Sequence, residues 1–127
     1  MAGERTLAAR QRARESWHEL DEPPRRALQL SRPHQWDMFA LRGRVSTATD
    51  ILNLVSDHVI GWRGFKNSDL LGAVLGSDDP EPFDAVLMRD WMLDEVEIVQ
   101  EVGGKLIDAV REATDKRQAE AKNSATS

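Results

Sequence analysis

The chain has 127 residues, with 8 Gly, 5 Pro, no Cys and a formal charge of −5. That length fits one compact domain with loose ends, and zero cysteines exclude a disulfide framework, a thiolate zinc site, an iron–sulfur cluster and a cysteine nucleophile. No apolar run is long enough to span a bilayer, and Met1-Ala2-Gly3-Glu4-Arg5 opens no secretory segment, so a soluble intracellular protein is expected.

The charge is unevenly distributed. Residues 1–44 carry nine Arg against six Asp/Glu, whereas residues 45–127 carry eight Lys/Arg against sixteen Asp/Glu. A basic leader on an acidic body suits phosphate binding, and equally suits the acidic body of a neighbouring copy. Residues 4–20 have helix-forming composition, but Leu7, Ala13, Trp17 and Leu20 form only a loose stripe, which predicts a marginal helix or a disordered arm. Asp21-Glu22-Pro23-Pro24 ends it, since proline disfavours helix in the preceding residue. Ala27-Leu28-Gln29-Leu30 alternates and suits a short strand. Ser31 reads as an N-cap, with Pro33 in the first turn of a short helix through Trp36, Phe39 and Ala40, closed by Gly43.

The clearest periodicity follows. Ala48, Ile51, Leu52, Val55, Val59 and Trp62 share one helical face, with Thr47 or Ser46 as cap and Asp50 near the positive end of the dipole. Asn53, Ser56 and Asp57 fall on the other side, and Gly61 and Gly64 stop the helix and shape the turn. Ser68 caps a short helix over 69–75 that ends at Gly76, and 77–82 forms an acidic, proline-bounded loop. Phe83 and Asp84 lead into a helix bearing Val86, Leu87, Trp91 and Met92. A last helix runs from about Asp94 to about Lys116, with Val96, Val99, Leu106 and Val110 on one face. Gly103-Gly104 inside it costs roughly 1 kcal/mol per residue against alanine, which implies a kink or a close backbone approach.

The fold class read from these elements is mainly α, a small single domain of four to five helices with a short N-terminal strand available. Residues 1–22 form a basic arm or marginal helix, 23–117 the helical domain and 118–127 a polar disordered tail. The core is assigned to helices over 47–62, 84–92 and 95–116, with Trp62, Phe83 and Trp91 in it or at its rim.

Catalytic and metal chemistry find no constellation. His18, His34 and His58 lie on three segments without ligand spacing, and no nucleophile elbow, phosphate loop or dinucleotide fingerprint occurs. Asp78, Asp79, Glu81 and Asp84 lack the ligand alternation and glycine of a calcium loop. No enzyme, cofactor or metal is expected. One nucleic-acid signal exists: Gly61-Trp62-Arg63-Gly64 resembles the loop with which KH domains clamp single strands. The acidic surroundings and the Asn67 that follows weigh against it. Partner binding fits better, because four Trp and three Phe in a polar chain are many large anchors, and Trp17, Trp36 and Phe65 lie in or beside weakly patterned segments.

Residues 57–110 carry a more definite likeness. The series Asp57-His58-Val59-Ile60-Gly61-Trp62-Arg63-Gly64-Phe65, then Ser68-Asp69-Leu70-Leu71-Gly72, then Pro82-Phe83-Asp84-Ala85-Val86-Leu87, then Leu93-Asp94 resembles the tail assembly chaperones of long-tailed, lambda-like bacteriophages. The basic stretch Arg26 to Phe39 is similar to that family's lead-in, so the likeness covers about two-thirds of the chain. Gly72 to Asp79 and the arginine-rich first twenty residues depart from it.

The resemblance implies a non-catalytic protein of the host cytoplasm, absent from the mature virion. It would bind and solubilise the tape measure protein and help recruit major tail (tube) protein, in a homo-oligomer that needs no membrane or nucleic acid. A frameshifted longer form would carry the tube contact. On this reading Trp36, Phe39 and Phe65 bind the client, and Arg10, Arg12 and Arg14 mediate self-association with the acidic body. The alternative is a KH-like single-stranded nucleic-acid-binding module using the Gly61–Gly64 loop.

Overall fold

The computed structural model describes residues 2–41 and 47–126. In chain order these form α1 (Ala2–Ala13), β1 (Glu15–Glu19), β2 (Ala27–Ser31), α2 (Gln35–Ala40), α3 (Ala48–His58), β3 (Val59–Arg63), α4 (Asn67–Leu75), α5 (Ala85–Met92) and α6 (Val96–Thr126). The mainly α expectation is therefore overturned. The fold is mixed α/β, with six helices and a three-stranded antiparallel sheet of order β1-β2-β3 among the described residues.

Two segments account for the difference. Of the loose stripe over 4–20, Leu7 and Ala13 do lie on a helix, α1, but that helix stops at Ala13 and Glu15–Glu19 is an edge strand in which only His18 is buried. The helix expected over 47–62 ends at His58, and the chain continues directly as β3. Val59 and Trp62 satisfy a helical spacing by coincidence. They satisfy a strand better, because β-branched and aromatic residues fit a pleated surface and β2 offers its free edge. Leu28 lies opposite both His18 and Trp62, while Gln29 faces Trp17 on one side and Gly61 on the other. A register shift between Gln29 and Leu30 brings Val59 opposite Leu30, so β2 directs Leu28 and Leu30 to the core.

The inner face of the sheet packs against α3, α5 and α6. Leu28, Leu30, Leu54, Val55, Met88, Met92, Val99, Val102 and Leu106 form the aliphatic centre. Beside it lies an aromatic cluster: the Phe65 ring stacks on Trp62 (centroids 4.3 Å apart) and meets Trp91 edge-on (5.1 Å), while Phe83 meets Trp62 edge-on (5.3 Å). The Trp62 indole N–H donates to the Glu81 carbonyl at 2.8 Å, so this ring is buried without an unmet donor. Trp62 and Trp91 sit in the core as expected, with Phe83 packed at its edge.

Helix ends follow local chemistry, not always at the expected residue. Thr47 caps α3 by accepting from the Asp50 N–H, and Asp84 caps α5 by accepting from the Leu87 N–H. Ser31 closes β2 instead of capping α2, whose start is fixed by Asp37 accepting from the His34 N–H at 2.8 Å. At α4 the cap position is Lys66, not Ser68, and Asp69 accepts from the Lys66 N–H at 2.8 Å. Asn53 and Ser56 are not simply solvated, because Arg89 of α5 donates to both and ties α5 to α3. Residues 118–126, read as a disordered tail, continue α6 as helix. Gly43 and Ser46 lie outside the described residues.

Gly103 resolves its two readings in favour of close approach. A Cβ there would lie 2.8 Å from the Ile51 Cγ2, whereas one at Gly104 would meet nothing within 4 Å. Among the described residues no helix is long and apolar enough to cross a membrane.

Candidate protein-binding surface

Trp36 and Phe39 lie three residues apart on α2 and so share a face. Their rings pack together with centroids 5.3 Å apart, yet they are 70% and 59% exposed. Large aromatics on a short helix that bury little of themselves are unusual unless something else covers them. Phe39 and Met38 form one wall of a cavity of about 350 Å³, and Ile107, Val110 and Thr114 of α6 form the other. Arg111, held 3.7 Å from Asp108, and Asp115 border this groove.

The groove continues into a larger cleft of about 400 Å³. Gln35, Val110 and Thr114 line both, so the two spaces adjoin along α6. The cleft wall is basic: Arg10 and Arg14 come from the end of α1, Arg32 and His34 from the β2–α2 connection, and Lys116 and Arg117 from α6. Glu120 is the acidic residue in that lining. The Arg14 guanidinium donates to the Arg32 carbonyl at 2.9 Å and rests against the His34 ring, which orders this corner. Burial, followed by the charges of Arg32 and Arg10, pushes the Arg14 pKa down against the opposing pull of Asp37. The cleft thus concentrates positive charge on a protein whose total charge is negative.

The other expected site residues fall elsewhere. Phe65 is 2% exposed between Trp62 and Trp91, so it is a core residue and offers no client contact. Gly61 lies within β3, where a Cβ would sit 2.7 Å from the Gln29 Oε1, and is not a turn residue. Gly64 does shape the turn after β3, with φ of +74° and room for no side chain: a Cβ would fall 1.8 Å from the Arg25 carbonyl oxygen. Because Gly61, Trp62 and Arg63 are strand residues with the Trp62 ring buried, the open loop that a KH-like clamp needs is not formed. Arg12 is exposed on α1, outside the cleft that Arg10 and Arg14 line.

Two features escaped the sequence. Lys116 and Arg117 complete a basic wall begun a hundred residues earlier, and spacing along the chain carries no signal of that meeting. Nor does it signal His18, buried on β1 against α6: Lys105 Nζ lies 3.2 Å from Nδ1, and Nε2, 3.6 Å from Glu101, has no hydrogen-bond partner. Other exposed apolar side chains occur at Leu71, Val74 and Leu75 of α4 and at Leu93 and Val96 near a small apolar hollow between α3 and α6. They lack aromatic anchors. Compared with known protein families, curated proteins and solved structures, the chain matches none.

Proposed function

We propose that this protein works without covalent chemistry, by seating an amphipathic helix of another polypeptide against α2 and α6. The observation that carries the reading is the exposed Trp36–Phe39 pair, of which Phe39 lines the α2–α6 groove and Trp36 packs against it. A groove walled by two helices accepts the apolar face of a third helix, with aromatic anchors at its rim. The residue series over 57–110 supports a specific form of this role, a phage tail assembly chaperone acting on the tape measure protein in the host cytoplasm. Recruitment of tail tube protein, through a longer translated form, belongs to the same proposal.

Self-association is the second part. Arg10 and Arg14 lie in the basic cleft and Arg12 is exposed nearby, so before a client is bound the acidic body of a neighbouring copy is their natural counterpart. Oligomers of this kind weaken as salt is raised, and identical light-scattering masses at low and high salt would remove this part.

The test of client binding is co-expression with a long, coiled-coil-rich tape measure protein. Wild-type protein should keep it soluble and co-purify with it, and Trp36→Ala/Phe39→Ala should lose most of that yield while retaining its helical circular dichroism. Undiminished co-purification by the double variant would reject the groove as the client site.

A further inference from the structure

The basic cleft and the apolar groove form one continuous surface, and together they specify the partner's chemistry. On the reading that the groove holds an amphipathic helix, we propose that this helix is acidic, with carboxylates beyond its apolar stripe that seat among Arg10, Arg32, Lys116 and Arg117.

Continuity is the first support. Val110 and Thr114 belong to both spaces, and from Ile107 to Arg117 the surface runs ten residues along α6, about 15 Å at the helical rise. A docked helix crossing it therefore places its polar residues over the cleft two to three turns from its apolar anchors.

Charge is the second support. Among the described residues Arg10, Arg32, Lys116 and Arg117 have no ion-pair partner, although the chain holds more acids than bases. Asp37 is occupied at the start of α2, Asp115 borders the groove, and Glu120 alone enters the cleft lining. Guanidinium groups on separate elements, beside an Arg14 fixed by its contacts to the Arg32 carbonyl and the His34 ring, suit bidentate carboxylate recognition. Phosphates share that geometry, but a phosphate site has no use for an aromatic-rimmed apolar groove continuous with it, so a peptide is favoured over a nucleic acid.

Three synthetic 20-residue helical peptides with one identical leucine face separate the possibilities, their polar positions at one end being Glu, Gln or Lys. Binding to the full-length protein is read by fluorescence anisotropy at about 20 mM and about 500 mM salt. The Glu peptide should bind roughly tenfold tighter than the Gln peptide at low salt, the Lys peptide weakest, with the spread collapsing at high salt. Arg10→Glu/Arg117→Glu should abolish the Glu preference and leave Gln-peptide affinity unchanged. Trp36→Ala/Phe39→Ala should weaken all three peptides.

Equal affinity of wild type for the Glu and Gln peptides, with both weakened by the aromatic variant, would overturn the acidic-partner inference while leaving the groove reading intact. Failure of all three peptides to bind would overturn both. Binding of inorganic triphosphate or single-stranded DNA in the cleft, lost in Arg10→Glu/Arg117→Glu and without competition from the Glu peptide, would overturn the inference in favour of a phosphate site.

Discussion

At the scale of single residues, the turn after β3 depends on Gly64 and Asp69. Gly64 takes a left-handed backbone directly against the Arg25 carbonyl, and the Arg25 side chain then reaches Asp69 through paired contacts of 2.9 Å. Gly64→Ala adds an unfavourable backbone conformation and a clash with main chain, so a loss of about 2 kcal/mol or more is expected in urea unfolding. The hydrogen bonds from Arg25, followed in importance by the Lys66 N–H, hold the Asp69 carboxyl down at about 2. Its folded pKa lies below its unfolded value, so its stabilisation is complete above about pH 4 and lost as pH falls towards 2. Asp69→Ala removes both the acceptor for the Lys66 N–H and the ion pair and should cost about 1–2 kcal/mol at neutral pH.

His18 is likewise favoured in its deprotonated form, which here is the neutral one. Burial, and then Lys105, push its pKa down despite Glu101 and Glu19, and His58 is lowered mainly by burial. The unfolded chain therefore binds more protons below about pH 6.5, and stability should fall between pH 7.5 and 5.5, with a smaller fall in His18→Gln. A melting temperature unchanged across that interval would contradict this account. None of these partnerships was visible in sequence except the turn role of Gly64. Phe65 misled for the same reason: an aromatic in an irregular segment looks exposed until Trp62 and Trp91 enclose it.

At the scale of elements, the strong periodic segments were legible and the short ones were not. The α3 stripe, the α5 start at Asp84 and the apolar face of α6 follow from spacing alone, because each helix buries part of that face, although Ala48, Val86 and Val96 stay exposed. Five-residue strands carry too little pattern, and β1 buries a single histidine. The β3 residues continued the α3 stripe in phase, so only pairing with β2, a contact distant in sequence, decides their state. The end of α6 is helical despite its polarity, because Ala119, Glu120, Ala121 and Lys122 are all good helix formers. The Gly103-Gly104 pair separates two effects within one element. Gly104→Ala meets open space and should stabilise by about 0.5–1 kcal/mol through helix propensity. Gly103→Ala gains the same propensity but presses on Ile51, so its stability should fall below that of Gly104→Ala. Thermal unfolding of the two variants side by side measures the difference.

At the scale of the whole molecule, the charge asymmetry of the sequence becomes an asymmetry in space. Arg14 and Arg32 sit at the Glu15–Ser31 end of the sheet, while the acidic loop bridged through Lys66 and Pro80 lies beyond the Ala27–Arg63 end. The excess of arginine in the leader was legible from composition. Its convergence with Lys116 and Arg117 beside an aromatic-rimmed groove needed the fold. On the proposed function a client helix lies on α2 and α6, and not on the equally apolar α4, where Val74 is 95% exposed. Site-specific photocrosslinking measures this most directly, with benzoylphenylalanine, which keeps an aromatic anchor, placed at Trp36 in one sample and at Val74 in another, each co-expressed with a tape measure protein as the proposed client. A covalent client adduct is expected from position 36 and none from position 74; an adduct from position 74 alone would contradict docking on α2 and α6.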